Sequence, residues 1–444
     1  MEATRIARTL REHGYSAYLV GGCVRDLLLN REPADYDVAT SATPHDVIRI
    51  FPQTFALGAQ FGVVLVPVRR DSPDSERDNF ATEVATFRSD GAYSDGRHPD
   101  EVQFSNDARL DVQRRDFTIN GLLIDPDTRE VLDYVGGRDD LRRGIVRTIG
   151  AAHQRFAEDK LRMLRAVRFA ARFGYTIDDR TFAAIRELAP QIHQVSHERV
   201  RDEILKMLTE GRARRAFELL DQTNLLEQVL PEIKKMQGVE QPPQYHPEGD
   251  VWVHTLMLLE GLPAGCPKTL ALGALLHDVG KPPTFRVAPD RIRFDQHAEV
   301  GTKMAEEICR RFRLSNDDTD QVLSLVANHM RFADVTRMKD STLKRFFRLP
   351  GFEQHLELHR LDCMCSHRDL SLYDFAKEKF HALPAEQIRP QPLITGNDLI
   401  AAGYKPGPQF KELLTTVEDA QLDGSISTKE EALDLVREKA RELA

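Results

Sequence analysis

Leu19-Val20-Gly21-Gly22-Cys23-Val24-Arg25-Asp26, followed eight residues later by Asp35-Tyr36-Asp37-Val38, is the stretch from which the chain is read. The apolar run Ala17 to Val20 stops at the double glycine, and Val24 to Leu29 has the composition of a helix. Strand, glycine turn and helix together aim backbone N–H groups and a helix N-terminus at a phosphate. Arg25, one turn into that helix, offers a guanidinium fork to the same anion. A tight turn without a ligand would look the same, so the glycines need a second feature. Asp35 and Asp37 provide it. Read as a strand, this segment places both carboxylates on one face. Their repulsion calls for a hard divalent cation between them, most simply Mg²⁺. A solvated Asp-x-Asp turn is the alternative, and the adjoining Gly-Gly-x-x-Arg-Asp cradle weighs against it. Glu83, in the strand-like run Thr82 to Phe87, is a third candidate acid. Two metal ions on strand carboxylates align a hydroxyl nucleophile with a nucleotide α-phosphate.

These motifs resemble the class II tRNA nucleotidyltransferase and poly(A) polymerase family, with its polymerase-β-like head. Further matches follow in order over nearly the whole chain. The resemblance implies an α+β protein, with a nucleotidyltransferase head followed by an all-helical neck, a body carrying an HD domain, and a tail. The expected bounds are 1–137 for the head, 138–240 for the neck, 249–383 for the HD region and 393–444 for the tail.

Composition is consistent with this. At 444 residues the chain has room for two to four domains. It has no apolar run of eighteen residues and no signal-like start, so no membrane is expected. Five cysteines without a paired framework fit a reducing cytoplasm. The net charge of −9 argues against a uniformly basic nucleic-acid binder, yet Arg138 to Arg172 holds ten Lys/Arg against four Asp/Glu. That stripe suits phosphate contacts or a solvated helix face.

Along the chain, Ile6 and Leu10 mark an amphipathic first helix ended by Gly14, and Ser41-Ala42-Thr43-Pro44 reads as a capped helix start. Asp71 to Asn79 reads as a surface insertion and Arg88 to Pro99 as a loop without hydrophobic period. The series Asp90-Gly91-x-Tyr93-x-Asp95-x-Arg97-x-Pro99 is similar to the flexible loop of CCA-adding members. Arg114-Arg115-Asp116-Phe117-Thr118-Ile119-Asn120 could be a solvated strand edge, but in this family the motif holds the nucleotide ribose and phosphates, which assigns Arg115 and Asp116. Glu158 to Arg162 is expected to open a helix running to about Arg172, with Leu164, Val167 and Ala171 on its apolar face. Spacing alone makes Asp159 and Arg162 an intrahelical ion pair. The resemblance makes them a protein template for the incoming base, with Arg165 and Arg168 counted among the nucleotide-binding residues.

Gln241 to Pro247 is a proline-rich break, after which come His254, His277-Asp278, His297, His329 and Asp362. A buried His-Asp pair is usually structural, whereas this series is the signature of HD-type phosphohydrolases. Imidazoles with carboxylates suit Mn²⁺, Ni²⁺, Fe²⁺ or Zn²⁺. The full expectation is template-independent addition of CMP and AMP to tRNA from CTP and ATP, with Mg²⁺ in the head. The rivals are an A-adding enzyme or poly(A) polymerase, an HD phosphohydrolase acting on RNA ends, and an RNA-binding module with both sites dead.

Overall fold

The computed structural model describes residues 2–55, 61–67, 81–91, 101–244 and 246–442. The chain divides between residues 231 and 232 into two compact units. The insertion at 71–79 and most of the loop to Pro99 lie outside the described residues. The described start of that loop departs from expectation: Arg88–Asp90 pairs as a strand with Val102–Phe104.

In the first unit, α1 (Glu2–Glu12) buries Ala3, Ile6, Ala7 and Leu10, a face recurring at three and four residues. The sheet is built from β1 (Ala17–Val20), β2 (Asp37–Thr40), β3 (Val63–Pro67), β4 (Ala81–Thr86), β5 (Leu122–Ile124) and β6 (Val131–Asp133), in the order β3-β4-β2-β1-β5-β6. Only the β2–β4 pair is parallel. Val20, Ala39, Phe87, Ala108, Val112, Leu123 and Ile149 form a buried cluster with one face of this sheet. Between β1 and β2 lies α2 (Gly22–Leu28); after β2, α3 (Pro44–Ile50) starts as expected, with Thr43 and Asp46 closing a capping box and Pro44 in the first turn.

A helical layer follows. The expected helix from Glu158 is two helices, Ala152–Glu158 and α4 (Leu161–Phe173), with Asp159 in extended conformation between them (φ −150°, ψ 107°). Asp159 turns the chain because its carboxylate accepts the Leu161 N–H at 3.0 Å, the local bond that draws Asp out of helix interiors. Leu164, Val167 and Ala171 are buried as expected, as are Val200, Ile204 and Leu208 of α5 (His197–Thr209).

The second unit is helical apart from a two-stranded ribbon, among the described residues. The α6 (Val251–Gly261) and α7 (Lys268–Leu276) helices are apolar almost all round and buried. They precede α8 (His297–Arg311), α9 (Asn316–Asn328) and α10 (Phe352–Cys365). An aromatic core of Phe332, Phe346, Phe347 and Phe352 and a tail cluster of Leu399, Leu413, Val417 and Val436 complete it. No helix of the described residues is long and apolar enough to cross a membrane.

Candidate active site

In the first unit, register gathers the acids. Asp37 pairs with Val20, the last residue of β1, and Val38 pairs with Val84, so Asp37, the first residue of β2, lies beside Glu83 within β4. Asp35 is not on the strand, contrary to the sequence reading. The ladder stops at Asp37 because β1 leaves the sheet at Gly21, whose φ of 77° is a left-handed turn that glycine makes without strain. Asp35 still acts on the group. Burial, then the charges of Glu83 and Asp35, push the Asp37 pKa up to about 7 against the opposing Arg115. Glu83 is exposed as a residue, but protein around its carboxyl raises its pKa, with Arg115 opposing and Asp35 reinforcing. Asp37 and Glu83, each raised by burial and by the charge of Asp35 nearby, gain from a cation, and an all-oxygen donor set suits a hard one.

Arg115 lies over the glycine turn: a Cβ on Gly21 would sit 3.3 Å from its Nη1. Its other contacts are to Asp111, a buried acid that also takes Arg114. Gly22 opens α2. Arg25, expected to reach the phosphate, is 4 % exposed and faces inward. It donates to Asp26 at 2.8 Å and to Asn120 at 2.7 Å, and stacks over Phe169 and Phe173. Asn120 donates onward to Asp116 at 3.0 Å, and Asp116 takes Arg165 at 2.8 Å. Burial alone would raise the Asp116 pKa, but Arg165 and Asn120 overcome it and hold it at about 2. Glu203, buried on α5, bonds Arg168 at 2.7 Å, and Arg168 reaches Glu210 at 3.3 Å. Arg25, Asn120, Asp116 and Arg165 are thus one polar relay behind the glycine turn, with Arg168 and Glu203 beside it.

Asp159 and Arg162 do not pair. Arg162 binds Glu158 at 2.6 Å and the Arg114 carbonyl at 3.1 Å, while Arg199 grips Asp159 through both its terminal nitrogens. The break at Asp159 takes it off the α4 face on which Arg162 stands. Asn120, Asp111, Glu203 and Arg199 escaped the sequence reading. Only Glu203 carried a signal, an acid on the apolar side of α5 between Val200 and Ile204.

The second unit brings all six expected ligands together. His254, His277 and Asp362 form one group whose ligand atoms lie within 4.8 Å of one another, and Asp278, His297 and His329 form another. His277 caps the C-terminus of α7, and Gly280 lets the following turn pack onto α8, since a Cβ there would meet the His297 carbonyl at 2.1 Å. Lys281 bonds Asp278 at 2.7 Å and Gln241 at 2.6 Å. Glu248, not foreseen, takes Nδ1 of His254 at 2.6 Å, leaving Nε2 toward the cluster. Nε2 of His277 is buried 3.2 Å from Oδ2 of Asp278, without the geometry of a hydrogen bond between them, an arrangement that two atoms ligating a metal would have. Burial disfavours charge on His254, but Asp362 and Glu248 prevail and raise its pKa to about 9; burial lowers that of His329 to about 4. Imidazole with carboxylate therefore fits a transition-metal ion here. A cavity of about 450 Å³ opens on Asp278, His297, His329 and Asp362.

Comparison with known proteins accounts for this arrangement. Residues 17–147 match the model of the poly A polymerase head domain, 174–237 that of an RNA- and SrmB-binding site of polymerase A, and 294–436 that of a tRNA nucleotidyltransferase domain 2. The chain is 33 % identical over 434 residues to a CCA-adding enzyme of Geobacillus stearothermophilus, covering 97 % of this chain and 95 % of that one. It is 32 % identical over 443 residues to the CCA-adding enzyme of Enterococcus faecalis, covering 99 % and 96 %. The crystal structure of the Bacillus stearothermophilus CCA-adding enzyme in complex with CTP is similar over 99 % of this chain and 98 % of that one, at a TM-score of 0.73 and 29 % identity. The fold is also that of the Thermotoga maritima CCA-adding enzyme complexed with tRNA, at a TM-score of 0.58 and 18 % identity. With a third of its residues shared along almost the full length of both chains, the protein belongs to the CCA-adding enzymes of the class II tRNA nucleotidyltransferase family.

Proposed function

We propose that Asp35, Asp37 and Glu83 hold a divalent ion, Mg²⁺, for the reaction that the family membership assigns. The protein is a nucleotidyltransferase that completes the 3′ end of tRNA with C, C and A from CTP and ATP, without a nucleic-acid template. The observation that carries the site is the strand register that sets Asp37 and Glu83 side by side next to the Gly21 turn. When bound, the ion supplies charge stabilisation for displacement at the α-phosphate. Gly21 and Gly22 present backbone to the triphosphate, and Arg115, poised above the turn, neutralises it. Asp116 accepts from the ribose, its ionised state secured by Arg165 and Asn120. Arg25 works from behind, fixing Asn120 and through it Asp116. Arg162 and Asp159 meet the base, each held by its own partner. Arg168 acts at one remove, through Glu203.

Head (1–137), neck (138–240), HD region (249–383) and tail (393–444) divide the work between chemistry, base reading, the second cluster and the tRNA body, in the cytoplasm. Transcripts of tRNA ending before CCA, after C and after CC, each given single nucleotides with Mg²⁺, test this. C should enter the first two and A only the third. Addition confined to the terminal A would mark an A-adding enzyme, and unlimited A a poly(A) polymerase.

A second reading rests on two groups of three ligand atoms, each within 4.8 Å, beside a cavity. His254, His277, Asp278, His297, His329 and Asp362 hold a transition metal, Mn²⁺, Ni²⁺, Fe²⁺ or Zn²⁺, and the cavity admits a phosphoester for hydrolysis. Purified protein should release phosphate from a cyclic or terminal nucleotide phosphoester when given one of these ions. No hydrolysis with any of the four would make the cluster structural.

A further inference from the structure

Arg199 is not among the residues expected to bind phosphate, ribose, base or metal, yet it holds the one acid expected to read the base. Its Nη1 and Nη2 reach Oδ1 and Oδ2 of Asp159 at 3.2 and 2.7 Å, a two-point fork on a half-buried carboxylate. Such forks fix the plane of a carboxylate as well as its position. Oδ1 also accepts the Leu161 N–H, so that oxygen is saturated by two donors. Oδ2 takes a single donor from Arg199 and keeps one acceptor direction open. Asp159 lies in an extended link between two helices, where no helical ladder would hold its side chain in place. The fork comes from α5, which also carries Glu203 one turn further on, and Glu203 bonds Arg168 and stands 3.9 Å from Arg165.

We propose that Arg199 is a specificity-determining positioning residue, which locks the Asp159 carboxylate so that its one open acceptor direction meets an exocyclic amine of the incoming base. This rests on the reading of Asp159 as a base contact. Cytosine and adenine bring an amine donor to that oxygen. Uracil and guanine bring a carbonyl, which leaves two acceptors facing each other in a half-buried site. Rejection depends on the carboxylate being unable to swing away. Freed from the fork, Asp159 turns from a carbonyl and admits the wrong base, while the amine of the right base is still accommodated. Arg199 therefore governs the ratio between nucleotides more than the rate with the correct one. A lysine at this position keeps the charge but offers a point contact in place of the fork.

The test is single-nucleotide incorporation by the full chain on a tRNA transcript ending before CCA, with CTP and UTP, and on one ending in CC, with ATP and GTP. Arg199→Ala, Arg199→Lys and Asp159→Asn are compared with wild type by kcat/KM, and folding is checked by circular dichroism and melting. Arg199→Ala should lower the CTP/UTP and ATP/GTP ratios by about tenfold or more, with a smaller change in the CTP rate itself. Arg199→Lys should fall between it and wild type, and serves if the alanine variant does not fold. Asp159→Asn should also lower both ratios. If Asp159→Asn lowers them and neither Arg199 variant does, the role of Arg199 is overturned while the base contact stands. If Asp159→Asn leaves both ratios unchanged, the base contact itself is wrong and the positioning claim falls with it.

Discussion

The acids of the first unit and the cluster of the second solve opposite problems. Asp37 and Glu83 are carboxylates set side by side by strand register, with Asp35 exposed just ahead of the strand, and the three together are the oxygen donors proposed for the ion. Burial and then the charges of Glu83 and Asp35 push Asp37 up to about 7. The second cluster draws on α6, α7, α8, α10 and the C-terminal end of α9, where His329 stands, and its two groups each pack three ligand atoms within 4.8 Å. There the chain supplies positive charge of its own through Lys281, which bonds Asp278. A closed set of imidazoles and carboxylates is assembled by folding, whatever the substrate.

This contrast predicts where substitutions act. The largest effect belongs to Asp37→Ala, which should slow nucleotide addition by about a thousandfold or more, above 4 kcal/mol in the barrier, with tRNA binding kept. Single-turnover incorporation of C measures it, and retention of more than about a tenth of the rate would sink the carboxylate assignment.

Next comes Arg25→Ala. Its removal strands the buried Asp26 and Asn120, so local opening of β1 and α2 should become easier by about 3–5 kcal/mol. Amide hydrogen exchange reads this, and unchanged protection would return Arg25 to the phosphate as a free fork.

Smaller again is an effect of acid on Asp116, whose folded pKa of about 2 lies below the ordinary 3.8. A depressed carboxyl stabilises the fold above about pH 4 and loses that contribution as the pH falls toward 2. Asp116→Asn should flatten this part of the acid-unfolding slope by about 2 kcal/mol. An unaltered slope would mean that Arg165 does not hold an ionised Asp116.

Much of this was legible in the sequence because the motifs are short and local. The glycine turn, the Thr43-Pro44 helix start and the His277-Asp278 helix end all follow from residues a few positions apart. What escaped was set by partners far away in the chain. Arg25 looks like a phosphate ligand until Asn120, ninety-five residues on, takes its guanidinium. Asp159 and Arg162 have ion-pair spacing, but Arg199 and Glu158 outbid each for the other. Asp35 falls off its strand because β1 ends two residues too early to pair with it, a fact of the neighbouring strand.

The separation of the two centres is tested most directly by one preparation of the variant carrying His277→Ala and Asp278→Ala. Its bound metal, measured by elemental analysis, and its addition of C, C and A to tRNA are read side by side with wild type. Wild type should carry a transition metal and the variant none, while nucleotide addition stays within about twofold. If addition falls in step with the lost metal, or if wild type carries no such metal, the account of two independent centres is contradicted.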